Sequence, residues 1–408
     1  MRSNPDQTVA RHGRLGGSVT KTVLKLIGAA LAVVLVSGGA VAAITAWRLN
    51  AQLQDNAVVL PGDEDAPPGI GAYEGGFNIL IVGSDTRVGQ GGIGGSEDDV
   101  EGELNDVNIL LHVSADQTNA VAVSFPRDLV VDIPECVDAA GDAKVVSTET
   151  INTALYYGGL ACAVMTVSQL TGLEIQFAGL IQFVGVVNMA DAIGGVDVCI
   201  TGPMIDEETG LNLPAAGTYP LSGYDALAFL RSRAAVGDGS DLTRISSQQV
   251  YLSSLVRKLK SDETLGDPVK VLGLANAAAS SMELSSRLAS PDTMVSISLA
   301  LANIPLERVT FVQYPGATGG DGVYAGKVQP RVELAEDLFE LIRADQPFTL
   351  GQVGDGDGSV ADPNAPVPDP EAPEPDATEP SDPPADLPVV NGLSGQTAAD
   401  YTCSVANE

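Results

Sequence analysis

VNILLHVSADQTNAVAVSFPRDLVVDIP, residues 107–134, decides the fold class. Two apolar runs, 107–114 and 119–125, flank the polar turn Ala115-Asp116-Gln117-Thr118. That pattern reads as two strands of a hairpin. LVVDIP at 129–134 follows directly. Upstream, FNILIVG (77–83) is another short apolar run, closed by the loop Ser84-Asp85-Thr86-Arg87. It reads as a buried strand. Downstream the pattern changes. INTALYYGG and ACAVMTVSQLTG carry helical spacing, and each is closed by glycine. QFAGLIQF (176–183) alternates like a strand, VGVVNMADAIGG reads as a helix with a glycine stop, and VDVCI as a strand. Residues 222–230, 244–260, 265–280, 291–302 and 332–344 have helical patterns, and 309–315 a strand pattern. An early hairpin followed by βαβ-like steps predicts an α/β (α+β) domain, with a mixed central sheet flanked by helices.

At 408 residues the chain has room for about two or three domains. Its net charge of −32 argues against nucleic-acid binding, which needs a basic face. The charge is unevenly placed. Residues 1–25 are net positive, and residues 26–47 (LIGAALAVVLVSGGAVAAITAW) carry none. That run is long enough for ~30 Å of hydrocarbon. Lys25 and Arg48 flank it, and Trp47 suits an interfacial belt. A cleaved signal peptide usually has a shorter apolar core, about 7–15 residues. The expectation is therefore an uncleaved transmembrane helix with a cytoplasmic tail at 1–25 and everything after Arg48 outside the cell membrane. Residues 48–75, rich in Gly and Pro, read as an extracellular stalk. Residues 76–345 read as one globular domain. Residues 346–388, acidic and Pro-rich, read as a disordered linker, and 389–408 as a short C-terminal tail. The four cysteines fall on the external side, where disulfides persist. Cys136 and Cys162 flank one loop-plus-helix segment and are the expected pair. Cys199 meets Cys403 only if the tail folds back.

The chemistry is limited to acids and arginines. The two histidines are His12, in the basic tail, and His112, inside an apolar strand, so a Ser-His-Asp or Cys-His site is disfavoured. Arg231 and Arg233 sit two apart, a spacing that points both to one face of an extended segment. Asp241, Arg244 and Gln248 fall at i, i+3 and i+7, one stripe of a helix. Arginine forks match phosphate oxygens, so this set reads as a receptor for phosphate or pyrophosphate; surface salt bridges are the alternative. Asp85 lies after the first strand and Asp106 at the mouth of the next. If those strands are neighbours, the two carboxylates hold a divalent cation, magnesium with substrate phosphates being the best match. Turn-capping aspartates are the alternative. Arg127, where a strand leaves the core, joins the same rim or simply pairs with Asp128.

NILIVGSDTR, NDVNILLHV, SFPRDLVVDIP, INTALYYGG, GLNLPAAGTYPLSGYDALAFLRSR and GSDLTRISSQQ occur in that order. Together they resemble the LytR-CpsA-Psr family of membrane-anchored cell-wall phosphotransferases, over roughly residues 76–345. The resemblance implies an external α/β domain with a hydrophobic pocket for a polyprenyl lipid. It implies magnesium-dependent transfer of a glycopolymer from its polyprenyl-pyrophosphate carrier to a peptidoglycan acceptor. By position, Asp85 and Asp106 match the metal-linked acids. Arg127, Arg231, Arg233 and Arg244 match the pyrophosphate-binding arginines, with Asp241 and Gln248 beside them and Arg87 in the first acid's loop. The apolar stretches 184–193, 271–279 and 294–304 are the ones available to line a lipid tunnel. Two positions depart from the family pattern: Leu104 stands where many relatives have arginine, and Thr150 where many have lysine. Hydrolysis of the lipid pyrophosphate and non-catalytic lipid-phosphate binding are the rival activities.

Overall fold

The computed structural model describes residues 51, 53–54, 57–61, 75–93, 103–138, 140–144, 148–261, 264, 268–366 and 387–407. The chain divides into two compact units, residues 1–51 and 52–408, and the account below concerns the second. The expected transmembrane segment at 26–47 and residues 367–386 of the acidic linker lie outside the described residues. Among the described residues, no helix is long and apolar enough to cross a membrane.

Eleven strands of the described residues make two larger sheets. They are β1 (Phe77–Ser84), β2 (Asn105–Val113), β3 (Ala120–Phe125), β4 (Phe177–Ile181), β5 (Val196–Ile200), β6 (Gly217–Leu221), β7 (Met282–Leu284), β8 (Val309–Gln313), β9 (Ser359–Ala361), β10 (Gly395–Thr397) and β11 (Thr402–Ser404). The helices are α1 (Ala154–Thr171), α2 (Phe183–Ala192), α3 (Gly223–Arg231), α4 (Asp241–Lys260), α5 (Pro268–Ser281), α6 (Pro291–Asn303) and α7 (Val332–Arg343). The main sheet runs β7-β4-β1-β2-β3-β8-β10. β2 pairs antiparallel with both β1 and β3, while β4 lies parallel to β1 and β8 parallel to β3. The sheet is therefore mixed, as the hairpin and the βαβ-like steps require.

Strand alternation assigns the two faces. Leu80, Val82, Leu110, Val121, Val123, Phe125 and Val312 point to one face and pack with Leu160 and Val164 of α1 and Leu338, Phe339 and Ile342 of α7. Leu80, Leu110 and Val123 are fully buried, each contributing about 1.5–3 kcal/mol relative to exposure. Phe77, Ile79, Ile109, Val113 and Phe311 point to the other face and pack with Ile297, Ala300 and Ile304 at the end of α6, and with Leu252 and Val256 of α4. Near the middle of that second face, Ile81, Val107 and Leu111 stay partly accessible, although their strands are central in the sheet.

The glycine signals of 151–172 are both used. A 3-10 turn at Ile151–Thr153 leads into α1, whose helical geometry breaks at Gly158 and Gly159. Gly159 has φ 63° and ψ −158°, a conformation that favours glycine. α1 then ends at Gly172, left-handed at φ 68°.

Two regions differ from the sequence reading. Residues 57–60 are docked rather than standing off as stalk. Val58 bridges to Ser285 and Leu60 is buried in the main core. The apolar trio Val58-Val59-Leu60 supplies the reason. At the other end, residues 349–361, read as linker, and 389–404, read as a short tail, are instead paired into the fold as a strap. Thr349–Leu350 pairs with Val389–Val390, β10 extends the main sheet beside β8, and β9 and β11 complete a second sheet of order β6-β5-β11-β9. The disulfides are Cys136–Cys162 and Cys199–Cys403, the second closing 204 residues.

Candidate functional site

The site lies along one edge of the main sheet. β1, β3 and β4 end there and β2 begins there, because Ser84 faces Asn105, Phe125 faces Asn108 and Ile181 faces Gly83 across the ladders. Asp85, Asp106 and Arg127 follow or open these strands, so the neighbour condition set by the sequence is met.

Asp85 is fixed by a backbone loop. Its Oδ1 accepts from Leu104 N at 2.7 Å, and its own N–H donates to Leu104 O at 3.0 Å. Leu104, the position where relatives carry arginine, therefore acts through its main chain. Burial holds the Asp85 carboxyl above the usual carboxylate range; the Leu104 amide opposes this, while Asp106 and Glu103 push the same way. Asp106 Oδ1 accepts from Arg127 Nη1 at 2.7 Å. Arg127 also lies 3.6 Å from Asp128 and 3.7 Å from Asp241, and its backbone N–H donates to Asp241 Oδ2 at 3.0 Å. Burial works against its charge, but Asp106, Asp128 and Asp241 together raise its pKa.

α4 opens onto this edge. Ser240 caps it, accepting from Thr243 N at 3.3 Å. The stripe Asp241, Arg244, Gln248 lies on one helix as its spacing predicts. Arg244, 5% exposed, pairs with Asp241 at 2.5 Å and donates to the Asp106 carbonyl at 3.1 Å. Burial lowers the Arg244 pKa, with Asp241 and Asp106 acting against it. Burial raises that of Asp241, with Arg244 and Arg127 acting against it. Gln248 donates from Nε2 to the Leu230 carbonyl at 2.8 Å, holding the last turn of α3.

That last turn carries Arg231. The expected extended Arg231/Arg233 pair takes a different form: Arg231 closes α3, Ser232 turns the chain, and Arg233 follows in irregular backbone. The turn is held by Ser232 Oγ, which donates to buried Asp206 at 2.6 Å. Among the described residues, neither guanidinium makes a hydrogen bond or an ion pair. The Arg231 guanidinium sits 4.3 Å from the Phe183 ring centroid. Burial lowers its pKa, Arg87 adds to this, and Asp106 acts against it. Arg233 likewise lies within electrostatic reach of Arg244. The cations thus divide into a paired set, Arg127 and Arg244, and an unneutralised set, Arg231 and Arg233.

Two positions carry weight that the sequence reading did not give them. Asn105 is fully buried and ties three elements together. Its Nδ2 donates to Asn108 Oδ1 at 2.6 Å and to Ile151 O at 3.1 Å, and its Oδ1 accepts from Leu155 N at the start of α1. The other is Gln90, in the loop after Arg87. Neither amide carries a charge or a periodicity that would mark it in the sequence. Thr150, the second departure from the family pattern, sits in a short ladder opposite Val130, its carbonyl accepting from Thr153 Oγ1 at 2.8 Å.

Comparison with known proteins places this site in context. A model of the LytR_cpsA_psr family matches residues 48–336. The cell wall biosynthesis protein LcpA of Corynebacterium glutamicum is 30% identical over 282 residues, covering 63% of this chain and 53% of that protein. The polyisoprenyl-teichoic acid–peptidoglycan teichoic acid transferase TagT of Bacillus subtilis is 26% identical over 249 residues, covering 59% and 71%. The chain spans about half the length of the corynebacterial relatives it matches. Among solved structures, a LytR-Csp2A-Psr enzyme from Actinomyces oris superposes with a TM-score of 0.51 at 22% identity, over 70% of this chain and 94% of that one. TagT bound to LI-WTA gives a TM-score of 0.51 at 20% identity, over 71% and 98%. These superpositions show the same fold, and with the family model spanning both the acidic edge and the arginine turn, the chain belongs to the LytR_cpsA_psr family.

Proposed function

We propose that this protein transfers a glycopolymer from a polyprenyl-pyrophosphate carrier to a peptidoglycan hydroxyl, forming a phosphodiester on the outer face of the cell membrane. One observation carries the reading. Among the described residues, Arg231 and Arg233 are half-buried cations without an ion-pair partner, beside a pair, Arg127 and Arg244, already held by Asp106 and Asp241. Such an arrangement leaves charge for a polyanionic ligand and none for a neutral one. The relatives' names supply the substrate class: TagT of Bacillus subtilis is named for moving polyisoprenyl-linked teichoic acid to peptidoglycan. The partly accessible Ile81, Val107 and Leu111 offer a surface for the lipid chain. The segment 26–47 is the proposed anchor.

Magnesium fits the acid pair. Asp85 and Asp106 are hard oxygen donors, the second close enough to raise the cost of ionising the first, and each has an oxygen beyond the one fixed by Leu104 or Arg127. Two carboxylates completed by water and substrate phosphates are the usual magnesium arrangement. When bound, the ion neutralises phosphate charge. The chain's own residues do the rest. Arg231 and Arg233 bind the pyrophosphate oxygens, and Arg127 orients Asp106. The acceptor hydroxyl oxygen bonds to the sugar-proximal phosphorus, the bond to the bridging oxygen breaks, and polyprenyl phosphate leaves. Asp85, less committed than Asp106 and with its pKa raised by burial, is the better acceptor for the hydroxyl proton. Catalysis is then mainly positioning and charge stabilisation.

The test is product analysis. Purified protein given a lipid-pyrophosphate oligosaccharide and peptidoglycan should form a covalent glycan–peptidoglycan product that chelation abolishes. Release of inorganic phosphate without attachment would instead assign a phosphatase. Tight lipid binding without turnover would assign a scaffold.

A further inference from the structure

The loop after Arg87 returns to the site through Gln90, whose amide is only half used. Gln90 is 2% exposed. Its Oε1 accepts from Val184 N at 2.9 Å, in the first turn of α2. That bond fixes the amide orientation, because only the oxygen accepts. Its Nε2 is buried without an acceptor. A buried donor without an acceptor carries its full desolvation cost, so the position calls for a partner. Since Oε1 and Nε2 share one planar group, the free N–H lies at the N-terminal end of α2. The ten-residue helix directs its positive end to the same place.

Arg231 occupies the same corner. Its guanidinium stacks on Phe183, the first residue of α2, 4.3 Å from the ring centroid. Ile93, three residues past Gln90, packs on the cluster of Phe183, Val187 and Leu227. The loop, the start of α2 and the end of α3 thus form one concave corner. It presents an uncompensated guanidinium, a helix N-terminus and an amide donor, but no acceptor for that donor.

We propose that Gln90 is a ligand-binding residue, its Nε2–H donating to a phosphate oxygen held between Arg231 and the N-terminus of α2. The inference rests on the pyrophosphate reading of the site and adds a residue to it. It gives the two phosphates of the substrate separate addresses: one at Arg231, Gln90 and α2, the other at Arg233, next to the paired Arg244. Gln90 would then hold the substrate in place without taking part in bond making.

A substitution pair and one side-chain resonance separate ligand binding from helix capping. Gln90→Glu keeps an oxygen for Val184 N and replaces the donor by a second acceptor. Gln90→Met removes both. If Gln90 only caps α2, Gln90→Glu weakens binding through its added charge alone, and the wild-type Gln90 side-chain resonance does not respond to the ligand. If Gln90 binds phosphate, both variants lose affinity and that resonance shifts. Geranyl pyrophosphate, titrated into full-length protein by calorimetry, is the probe. The expected result is at least a tenfold weaker Kd for Gln90→Glu with an unchanged Tm; binding within twofold of wild type overturns the proposal. Arg231→Ala is the control for the underlying reading. If it too binds the probe like wild type, the pyrophosphate site itself is wrong. If it loses binding while Gln90→Glu does not, only the role of Gln90 falls. In wild type, the Gln90 side-chain ¹⁵NH₂ resonance, identified by its loss in Gln90→Met, should shift on adding the probe. An unmoved resonance overturns the proposal even where a variant fails to fold.

Discussion

At the scale of single residues, the site separates charges that hold the fold from charges kept for a ligand. Arg244 belongs to the first kind, sealed against Asp241 with both side chains 5% exposed. Arg231 belongs to the second. Asp85 sits between these extremes, anchored by Leu104 but ionised at a cost. Its raised pKa means the folded protein binds a proton more readily than the unfolded chain. Stability from this group is therefore present at low pH and lost as pH rises through the folded pKa. Asp85→Asn keeps an oxygen for Leu104 N and removes the charge. In metal-free buffer it should melt above wild type at neutral pH, with the gap closing as pH falls into the acid range. Differential scanning calorimetry across pH checks this, and a lower Tm at neutral pH would contradict it. The candidate acids and arginines were legible from residue type, spacing and their resemblance to a family. Asn105 and Gln90 were not, because a buried amide carries no periodicity or charge to mark it. Their roles come from which backbone groups they meet in space.

Among the elements, the early strands and most helices follow from apolar period and glycine punctuation. α4 begins three residues before the apolar pattern suggests, since Ser240 and Asp241 supply a polar cap and first turn that hydrophobic spacing does not register. The short strands around 204–221 were missed, because three-residue segments are too brief to show alternation. α1 shows how closely punctuation sets geometry. A Cβ on Gly158 would lie 2.9 Å from Cys136 Cβ, so the break lets the helix close onto the segment around Cys136 that the Cys136–Cys162 disulfide staples to it. Gly159 adopts φ 63°, ψ −158° to make that break. Gly159→Ala should cost about 1–3 kcal/mol in denaturant unfolding. An unchanged midpoint would show that α1 passes this point without a strained turn.

For the whole molecule, the C-terminal strap was the least legible feature. Its proline-rich approach masks the fact that 349–361 and 389–404 carry the strands that finish both sheets. These strands brace α4 along Ser247, Ser253 and Arg257. Ser404 Oγ bonds Ser247 Oγ at 2.8 Å, Gln396 Nε2 bonds Ser253 Oγ at 2.6 Å, and Arg257 donates to the Ala398 and Asp400 carbonyls at 2.7 and 2.8 Å. The Cys199–Cys403 bridge closes a 204-residue separation, and a cross-link of that span contributes about 2–4 kcal/mol. Cys403→Ser should lower unfolding stability by about that amount in urea titration; no loss would mean the strap docks without its staple. The account as a whole rests on the division between fold-holding and ligand-holding arginines, so its central measurement compares two substitutions in one assay. Transfer of a lipid-pyrophosphate glycan to peptidoglycan is measured beside the melting curve. Arg231→Ala should abolish transfer with Tm unchanged. Arg244→Ala, which strands Asp241, should lose about 3–5 kcal/mol of stability. Near-normal transfer by a folded Arg231→Ala protein would contradict the account.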